Sequence, residues 1–339
     1  LPSAFCLLPS RMSRYPLFDR GRLVLADLAA RGHDLSAAAC RGLDAAFEPY
    51  LHPEFTVLVD AIVAARSAGR PVILMMGGHP IKLGLSRYLV DLIGRGVITH
   101  LAGNGAVLIH DFELALAGGT SEDVPKWIRR GQFGLWHETG RLNDIAVGAA
   151  ARGEGFGEAV GRVIEEERFP CRELSLAAAG WRAGVPVTAH LSIGSDITHA
   201  HANCSGSALG AASYTDFLIF ARAVQELEGG VFLNVGSAVT GPEVYLKALS
   251  MARNVARQSG QPIKHFTTAV FDLVELPADY RDATPAKSHP QYYYRPWKTI
   301  LVRTVADGGR SYYFCGDHCR TIPTLWRNVV GRQQAAAAA

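Results

Sequence analysis

The residues best suited to chemistry cluster between 194 and 205, directly behind a segment with the pattern of a buried strand. That segment, VPVTAHLSI (185–193), alternates and then runs apolar, as strands inside a covered parallel sheet do. The carboxyl ends of such strands form the usual ligand crevice of an open α/β sheet, so we expect Asp196, His199 and His201 to act on a substrate or cofactor. The alternative is a polar surface loop.

Three further turns combine glycine with polar groups behind apolar segments. They lie in MMGGHPIKLG (75–84), HLAGNGAVLIHDFELALAG (100–118) and LNVGSAVTGPEV (233–244). Glycine lets the backbone approach a phosphate, whose charge the N-terminus of a following helix favours. Each alone is also typical of a plain tight turn, but several at successive strand ends favour a nucleotide. The candidate cofactor-binding residues are Gly77, Gly78, His79, Gly103, Asn104, Gly105, Ser192, Asp196, Gly236, Ser237 and Asp317.

Two further groups of residues are candidates for the substrate side. His110, Asp111 and Glu113 open the segment behind AGNGA and are candidate substrate ligands, with a helix cap or core position as the alternative for His110. Lys298 stands between Trp297 and an apolar run that predicts a strand, where loss of hydration would lower the pKa of its amine. Such a lysine can form an imine or act as a base, and the alternative is a solvated lysine at a strand end.

The elements that must position these residues follow a strand and helix alternation from Phe55 onward. About six strands with helical crossovers predict an α/β fold with a doubly wound, mostly parallel, Rossmann-like sheet. The final strand is expected at 299–307. The expected divisions are 1–54 as an N-terminal arm and helix, 55–330 as a single α/β domain with a loop-rich insert near 120–170, and 331–339 as a tail outside the fold.

Composition limits the function classes. The 339 residues are 48% hydrophobic, enough for a sizeable core, and the net charge of +3 comes from basic residues scattered along the chain, so no nucleic-acid partner is expected. Six cysteines, among them Cys6, are too sparse for a disulfide framework, and no apolar run is long enough for a membrane span. We therefore expect a reduced, cytoplasmic protein. Cys315, His318 and Cys319 lack a second pair of ligands, so no metal is expected.

These features together resemble the deoxyhypusine synthase family over residues 70 to about 330. The similar segments are MGGHPIKLG (76–84), LAGNGAVLIHDFELAL (101–116), VPVTAHLSIGSDI (185–197) with a second possible match at SGSALG (205–210), NVGSAV running on to MARN (234–254), Pro296-Trp297-Lys298, and Gly316-Asp317. The resemblance implies NAD as cofactor, Lys298 as the residue that captures an imine, Trp297 beside the substrate, and a homotetramer with sites at the dimer interface.

The chain also departs from the family's pattern. HPQYYYRP precedes Lys298, where a polycation would need carboxylates, and the turn NVGSAVTGPE has no histidine. We therefore expect an NAD-dependent transferase whose small-molecule substrate, an amine, differs from spermidine, with His199, His201 or His110 moving protons. Two alternatives stay open. One is an enzyme that consumes NAD or another nucleotide in the same pocket, and the other is a nucleotide-binding protein without turnover.

Overall fold

The computed structural model describes residues 13–338, so Cys6 lies outside the described residues. Its centre is a six-stranded sheet in which all neighbouring strands run parallel. The strands are β1 (Val72–Met76), β2 (His100–Asn104), β3 (Val187–His190), β4 (Val231–Val235), β5 (Thr267–Asp272) and β6 (Arg310–Cys315). Their order across the sheet, β3-β2-β1-β4-β5-β6, is that of the doubly wound Rossmann fold. The predicted fold class is confirmed.

Helices cover both faces of this sheet. The α-helices of the described residues are α1 (Phe55–Ser67), α2 (His79–Lys82), α3 (Ser86–Gly94), α4 (Gly105–Ala117), α5 (Val124–Arg129), α6 (His137–Arg152), α7 (Phe156–Glu166), α8 (Leu176–Ala183), α9 (Gly206–Gln225), α10 (Thr240–Gln258) and α11 (His318–Ala338). None of these helices has both the length and the apolar character needed to cross a membrane.

The strands are rich in apolar residues because both faces of the sheet are buried. All five residues of β1 and all five of β4 are buried. Successive side chains point to opposite faces, so Ile73 and Met75 pack with α9 and α10, while Leu74 and Met76 pack with α1, α4 and α11. The two cores hold the strand ends in fixed positions along one edge.

The N-terminal segment differs from the prediction. No α-helix precedes Phe55 in the described residues, and the segment forms short 3₁₀ turns and a two-residue strand, Leu35–Ser36, paired antiparallel with Gly119–Thr120. Its apolar side chains pack separately: Leu28 against two tryptophans, and Leu35 in the main core. Tertiary contacts therefore override the helical spacing, and they bring the arm against the carboxyl edge of the sheet.

The insert near 120–170 is helical rather than loop-rich. It contains α5, α6 and α7, and its glycines serve helix packing and helix ends. Gly153, with φ +71°, ends α6. A Cβ on Gly157 would lie 2.0 Å from the carbonyl oxygen of Val187, so this glycine lets α7 rest directly on the backbone of β3.

The predicted strand at 299–307 is wrong. Residues Trp297–Arg303 form a π-helix that packs on β5 and β6, and the sixth strand is β6, behind it in the chain. Two strand hydroxyls donate hydrogen bonds to carbonyl oxygens of the π-helix. Thr268 donates to Ile300 at 3.1 Å, and Ser311 donates to Leu301 at 2.7 Å. An apolar run this short fits a buried strand or a buried helix equally well.

The tail was also expected outside the fold, but α11 continues through residues 331–338. Alanine, which makes up the end of this segment, is the strongest helix former.

Candidate functional site

The strand order reverses between β1 and β4, and the turns behind these strands touch. The amide of Gly77 donates to the carbonyl oxygen of Val235 at 3.1 Å. A Cβ on Gly77 would lie 2.6 Å from the carbonyl oxygen of Gly236, which itself has φ +59°. Both positions thus require glycine, and the two turns meet at the point where doubly wound folds bind ligands.

Two histidines flank this contact. The rings of His79 and His318 lie 6.0 Å apart, edge to face, and His318 is 2% exposed with an unpaired, buried Nδ1. Burial lowers the pKa of His318. Asp317, one of the predicted cofactor residues, directly precedes α11 and accepts a hydrogen bond from the Cys319 amide at 2.8 Å. Sequence reasoning considered His318 only as a metal ligand and missed its place at the reversal point.

Ser237, also predicted to bind cofactor, is bonded within its own turn. Its hydroxyl accepts from the Gly241 amide at 2.9 Å, and its carbonyl oxygen accepts from the Asn234 side chain at 3.0 Å. Ser237 therefore shapes the start of α10.

The end of β2 carries unpaired polar groups. A Cβ on Gly105 would lie 2.1 Å from Asp196 Oδ2, so the carboxylate of Asp196 fills the space beside the first residue of α4. Asn104 Oδ1 and Asp196 Oδ2 are both buried without a hydrogen-bond partner. Burial raises the pKa of Asp196 to about 6. Gly103 packs its backbone against Val107 instead.

The loop behind β3 holds His199 in a defined tautomer. His199 Nδ1 accepts from the amides of Gly194 at 3.0 Å and Asp196 at 3.1 Å, so the ring proton lies on Nε2. That Nε2 lies 3.8 Å from Asp196 Oδ2 and has no hydrogen-bond partner, and burial lowers the pKa of the ring. Asp196 and His199 thus form an incomplete polar pair that a bound group can complete.

The other two residues predicted in this loop lie elsewhere. His201 is fully buried, with Nε2 at 2.7 Å from the carbonyl oxygen of Gly134 and Nδ1 against Gly140. Ser192 is exposed, and its carbonyl oxygen accepts from the Ser195 hydroxyl at 2.6 Å. The loop therefore delivers Asp196 and His199 to the crevice and uses His201 to fix itself to α6.

A cavity of about 190 Å³ opens at the carboxyl ends of β1, β2 and β3. Charges of both signs line it. The lining residues are Arg31, Lys82, Ala106, Ile109, His110, Glu113, Ser121, Glu122, Val124, Phe133, Ser195, Asp196 and Ile197.

A buried ion pair forms one wall of the cavity. Arg31 binds Glu113 through two hydrogen bonds, of 3.1 Å and 2.7 Å, and approaches Glu122 at 3.5 Å. Both side chains of the Arg31–Glu113 pair are 1% exposed. Sequence reasoning missed Arg31 and Glu122, since no local signal ties an arginine of the N-terminal arm to a helix 82 residues later.

His110 and Asp111 are neighbours in the chain with different surroundings. His110 lines the cavity, and burial lowers the pKa of its imidazole to about 4. Asp111 points away, accepts from the Ser175 hydroxyl at 2.5 Å and the Leu176 amide at 2.6 Å, and holds the start of α8. Burial raises its pKa to about 6. The structure gives Asp111 a helix-capping position.

Lys298 does not line the cavity. Its Nζ lies 3.7 Å from the centre of the Tyr292 ring, the residue is 4% exposed, and burial lowers the pKa of the amine. No carboxylate in residues 13–338 forms an ion pair with it. Trp297 donates to the carbonyl oxygen of Tyr280 at 2.7 Å. The predicted site residues therefore fall into two separate groups.

No protein-family model matches the chain, and no curated protein matches it significantly by sequence. Among solved structures, a conserved LOR/SDH-type protein from Methanococcus maripaludis S2 is similar, at 11% identity and TM-score 0.51, over 86% of this chain and 71% of its own. AgrE in complex with ornithine and NAD⁺ matches at 16% identity and TM-score 0.47, over 86% of this chain and 35% of its own.

The chain spans about a third of the length of AgrE and of the cyanobacterial arginine dihydrolase ArgZ. A deoxyhypusine synthase-type protein from Entamoeba histolytica matches at 8% identity and TM-score 0.37, over 81% of this chain and 87% of its own. At these identities the likeness to the Methanococcus protein shows a shared fold alone. Membership of the deoxyhypusine synthase family stays a prediction.

Proposed function

We propose that this chain is an enzyme that binds NAD across the carboxyl edge of its sheet and acts on a small molecule. The observation that carries the proposal is the pair of buried, unpaired oxygens at the end of β2, Asn104 Oδ1 and Asp196 Oδ2. In doubly wound folds the ribose hydroxyls of a dinucleotide bind near the end of this strand. Buried acceptors without a partner are costly unless a ligand or water completes them.

The glycine turn behind β1 fits the phosphates of the same ligand. Gly78 is half-buried and His79 is exposed in this turn, so their backbone amides would be the ones to meet a pyrophosphate. His79, exposed at this turn, and His318, buried beside it, would flank the nicotinamide half. NAD would supply a hydride acceptor, while the protein binds the nucleotide and excludes water.

The finer proposal is a deoxyhypusine synthase-like transferase that moves an alkylamine-type group through Lys298. With NAD as hydride acceptor and a base taking the proton, oxidation of an amine R–CH₂–NHR′ would give an imine. The neutral Nζ of Lys298 would add to the imine carbon and expel the first amine, R′NH₂. A second amine would then displace Lys298, and return of the hydride and the proton would reduce the new imine to the product amine. Burial of Lys298 and its lowered pKa support this role.

Two features bear on the substrate and the assembly. Arg295 and Tyr292 lie near Lys298. Because Arg295 forms an ion pair with Glu243, that carboxylate is not free to bind a polycation such as spermidine. Because Lys298 lies outside the cavity, the proposal places its reaction partner on a second copy of the chain, in keeping with the expected homotetramer.

Calorimetric titration of NAD into nucleotide-free protein tests the binding proposal. We expect Asp196→Asn to weaken binding about tenfold or more, since a hydrogen bond from a hydroxyl to a charged acceptor is worth about 1.5–3 kcal/mol. Asp307→Asn, an exposed aspartate without hydrogen bonds, is the matched control. A wild-type protein that binds no NAD in this titration would contradict the proposal. Release of nicotinamide during the titration would instead favour an enzyme that consumes NAD.

Borohydride trapping tests the finer proposal. Incubation with NAD and a panel of primary diamines, followed by reduction, should leave a mass adduct on Lys298 in the wild type and in the exposed control Lys287→Arg. Lys298→Arg keeps the positive charge but cannot form an imine, so its adduct should be lost. Undiminished transfer by Lys298→Arg would contradict the imine mechanism and leave NAD binding untouched.

A further inference from the structure

A chain of hydrogen bonds runs from the buried Arg31 to His110 on the cavity wall. Thr120 lies in the middle: its hydroxyl donates to Glu113 Oε2 at 2.8 Å and contacts His110 Nδ1 at 2.9 Å. A threonine hydroxyl has one proton to donate. Since that proton goes to the carboxylate, the contact with His110 requires a proton on Nδ1, and Nε2 then carries a lone pair.

Glu113 is held as a carboxylate with no free acceptor. Oε1 accepts from Arg31 and from the Thr139 hydroxyl at 2.7 Å, and Oε2 accepts from Arg31 and Thr120. Four donors match the roughly four lone-pair sites of a carboxylate. Glu113 therefore does not bind substrate directly but fixes the direction of the Thr120 hydroxyl.

The Cδ2–Nε2 edge of the His110 ring lies beside the glycine turn behind β1. A Cβ on Gly78 would lie 2.8 Å from His110 Cδ2, the carbon bonded to Nε2, and His110 lines the cavity together with Lys82 and Asp196. Gly78 is thus the position behind β1 where a side chain would cover this edge. Burial lowers the pKa of His110 to about 4, so the resting ring is neutral at physiological pH and one of its nitrogens carries no proton.

We propose that His110 accepts the substrate's proton in this cavity, and that Thr120, Glu113 and Arg31 are positioning residues that hold its Nε2 lone pair toward the ligand. The N–H or O–H bond of the substrate breaks, its electron pair stays on the substrate, and the proton moves to Nε2. The imidazolium that forms donates through Nδ1 to Thr120, whose partner is the negative Glu113. The reaction that uses this step rests on the proposed function, whereas the tautomer does not.

Nitrogen-15 spectra of the histidine rings test the tautomer in the full chain. We expect wild-type His110 to show a protonated Nδ1 and a bare Nε2 at neutral pH. Thr120→Ser keeps the hydroxyl and should keep this pattern, whereas Thr120→Val removes it and should shift the proton to Nε2. A protonated Nε2 in the wild type, or the same tautomer in Thr120→Val as in Thr120→Ser, overturns the proposal.

Acylation with diethyl pyrocarbonate tests whether the bare Nε2 is open to the cavity, because this reagent attacks an unprotonated ring nitrogen. Mass analysis should find His110 modified in wild type and Thr120→Ser, and at least tenfold less in Thr120→Val, with the exposed His265 modified alike in all three. Equal His110 labelling in all three overturns the positioning role. If the wild-type protein showed the expected tautomer but bound no NAD in calorimetry, the proposed function would be refuted and the positioning of His110 would stand.

Discussion

Arg31 and Lys298 are equally buried cations, each 4% exposed, yet their surroundings differ. Arg31 meets two carboxylates and an extended hydrogen-bond network on the β1–β3 half of the sheet. Lys298 lies on the β4–β6 half, with its amine over the ring of Tyr292. It forms no ion pair with a carboxylate among the described residues. The first cation is therefore part of the structure that shapes a cavity, whereas the second is a buried amine whose pKa is lowered by desolvation.

The largest expected difference concerns stability. Arg31→Leu would leave Glu113 and Glu122 buried without a counter-charge, which costs about 3–5 kcal/mol. Urea denaturation measures this loss. The exposed pair of Arg141 and Glu167 supplies the control, since Arg141→Leu should cost at most about 1 kcal/mol. If Arg31→Leu proved no more costly than the control, Arg31 would not be the organising cation of this half.

A second prediction concerns another buried titratable side chain on the β1–β3 half, the carboxyl group of Asp216. Asp216 of α9 accepts from the amides of Ala189 at 2.8 Å and Gly157 at 3.1 Å, and burial raises its pKa to about 7. The pKa of an aspartate in an unfolded chain is roughly 3.9. Between these values the folded state binds the extra proton, so the contribution of Asp216 to stability is present at low pH and is lost as pH rises toward 7.

Asp216→Asn should remove this slope, which is at most about 1.4 kcal/mol per pH unit. The difference in unfolding free energy between variant and wild type, measured by urea denaturation from pH 4 to 8, should move in favour of the variant as pH rises. Asp307→Asn, without contacts, should show no such trend. Parallel pH curves for Asp216→Asn and wild type would show that Asp216 is ionised throughout.

The smallest effect is expected at Lys298. Lys298→Met exchanges a desolvated amine for an apolar side chain of similar length, losing a cation–π contact but also the cost of a buried charge, so stability should change by about 1 kcal/mol or less. Lys287→Met is the exposed control. A loss comparable to that of Arg31→Leu would mean that Lys298 is a structural residue like Arg31, and the comparison between the two halves would fail.

Local patterns in the sequence predicted the sheet and the strand-end turns. Apolar runs such as 72–76 and 231–235 are buried strands, and Gly77 and Gly236 lie where the turns behind these two strands touch. The placement of Asp196 beside Gly105 follows from the rule that parallel strands end at one edge.

What the sequence could not predict depends on long-range contacts. The run at 299–307 fits a strand locally, and only its packing on Thr268 and Ser311 favours a π-helix. Arg31 and Thr120 join the site because Leu35–Ser36 pairs with Gly119–Thr120, a contact without a local signature. The chain of hydrogen bonds from Arg31 to His110 follows from that pairing.

A crystal structure of the chain grown with NAD⁺ would show directly whether the carboxyl edge of the sheet is the nucleotide site. We expect a dinucleotide whose ribose contacts Asp196 or Asn104 and whose pyrophosphate lies on the turn of Gly77 and Gly78, between β1 and β4. A dinucleotide bound away from this edge, or an Asp196 carboxylate that keeps its position with no ligand beside it at saturating NAD⁺, would contradict this expectation.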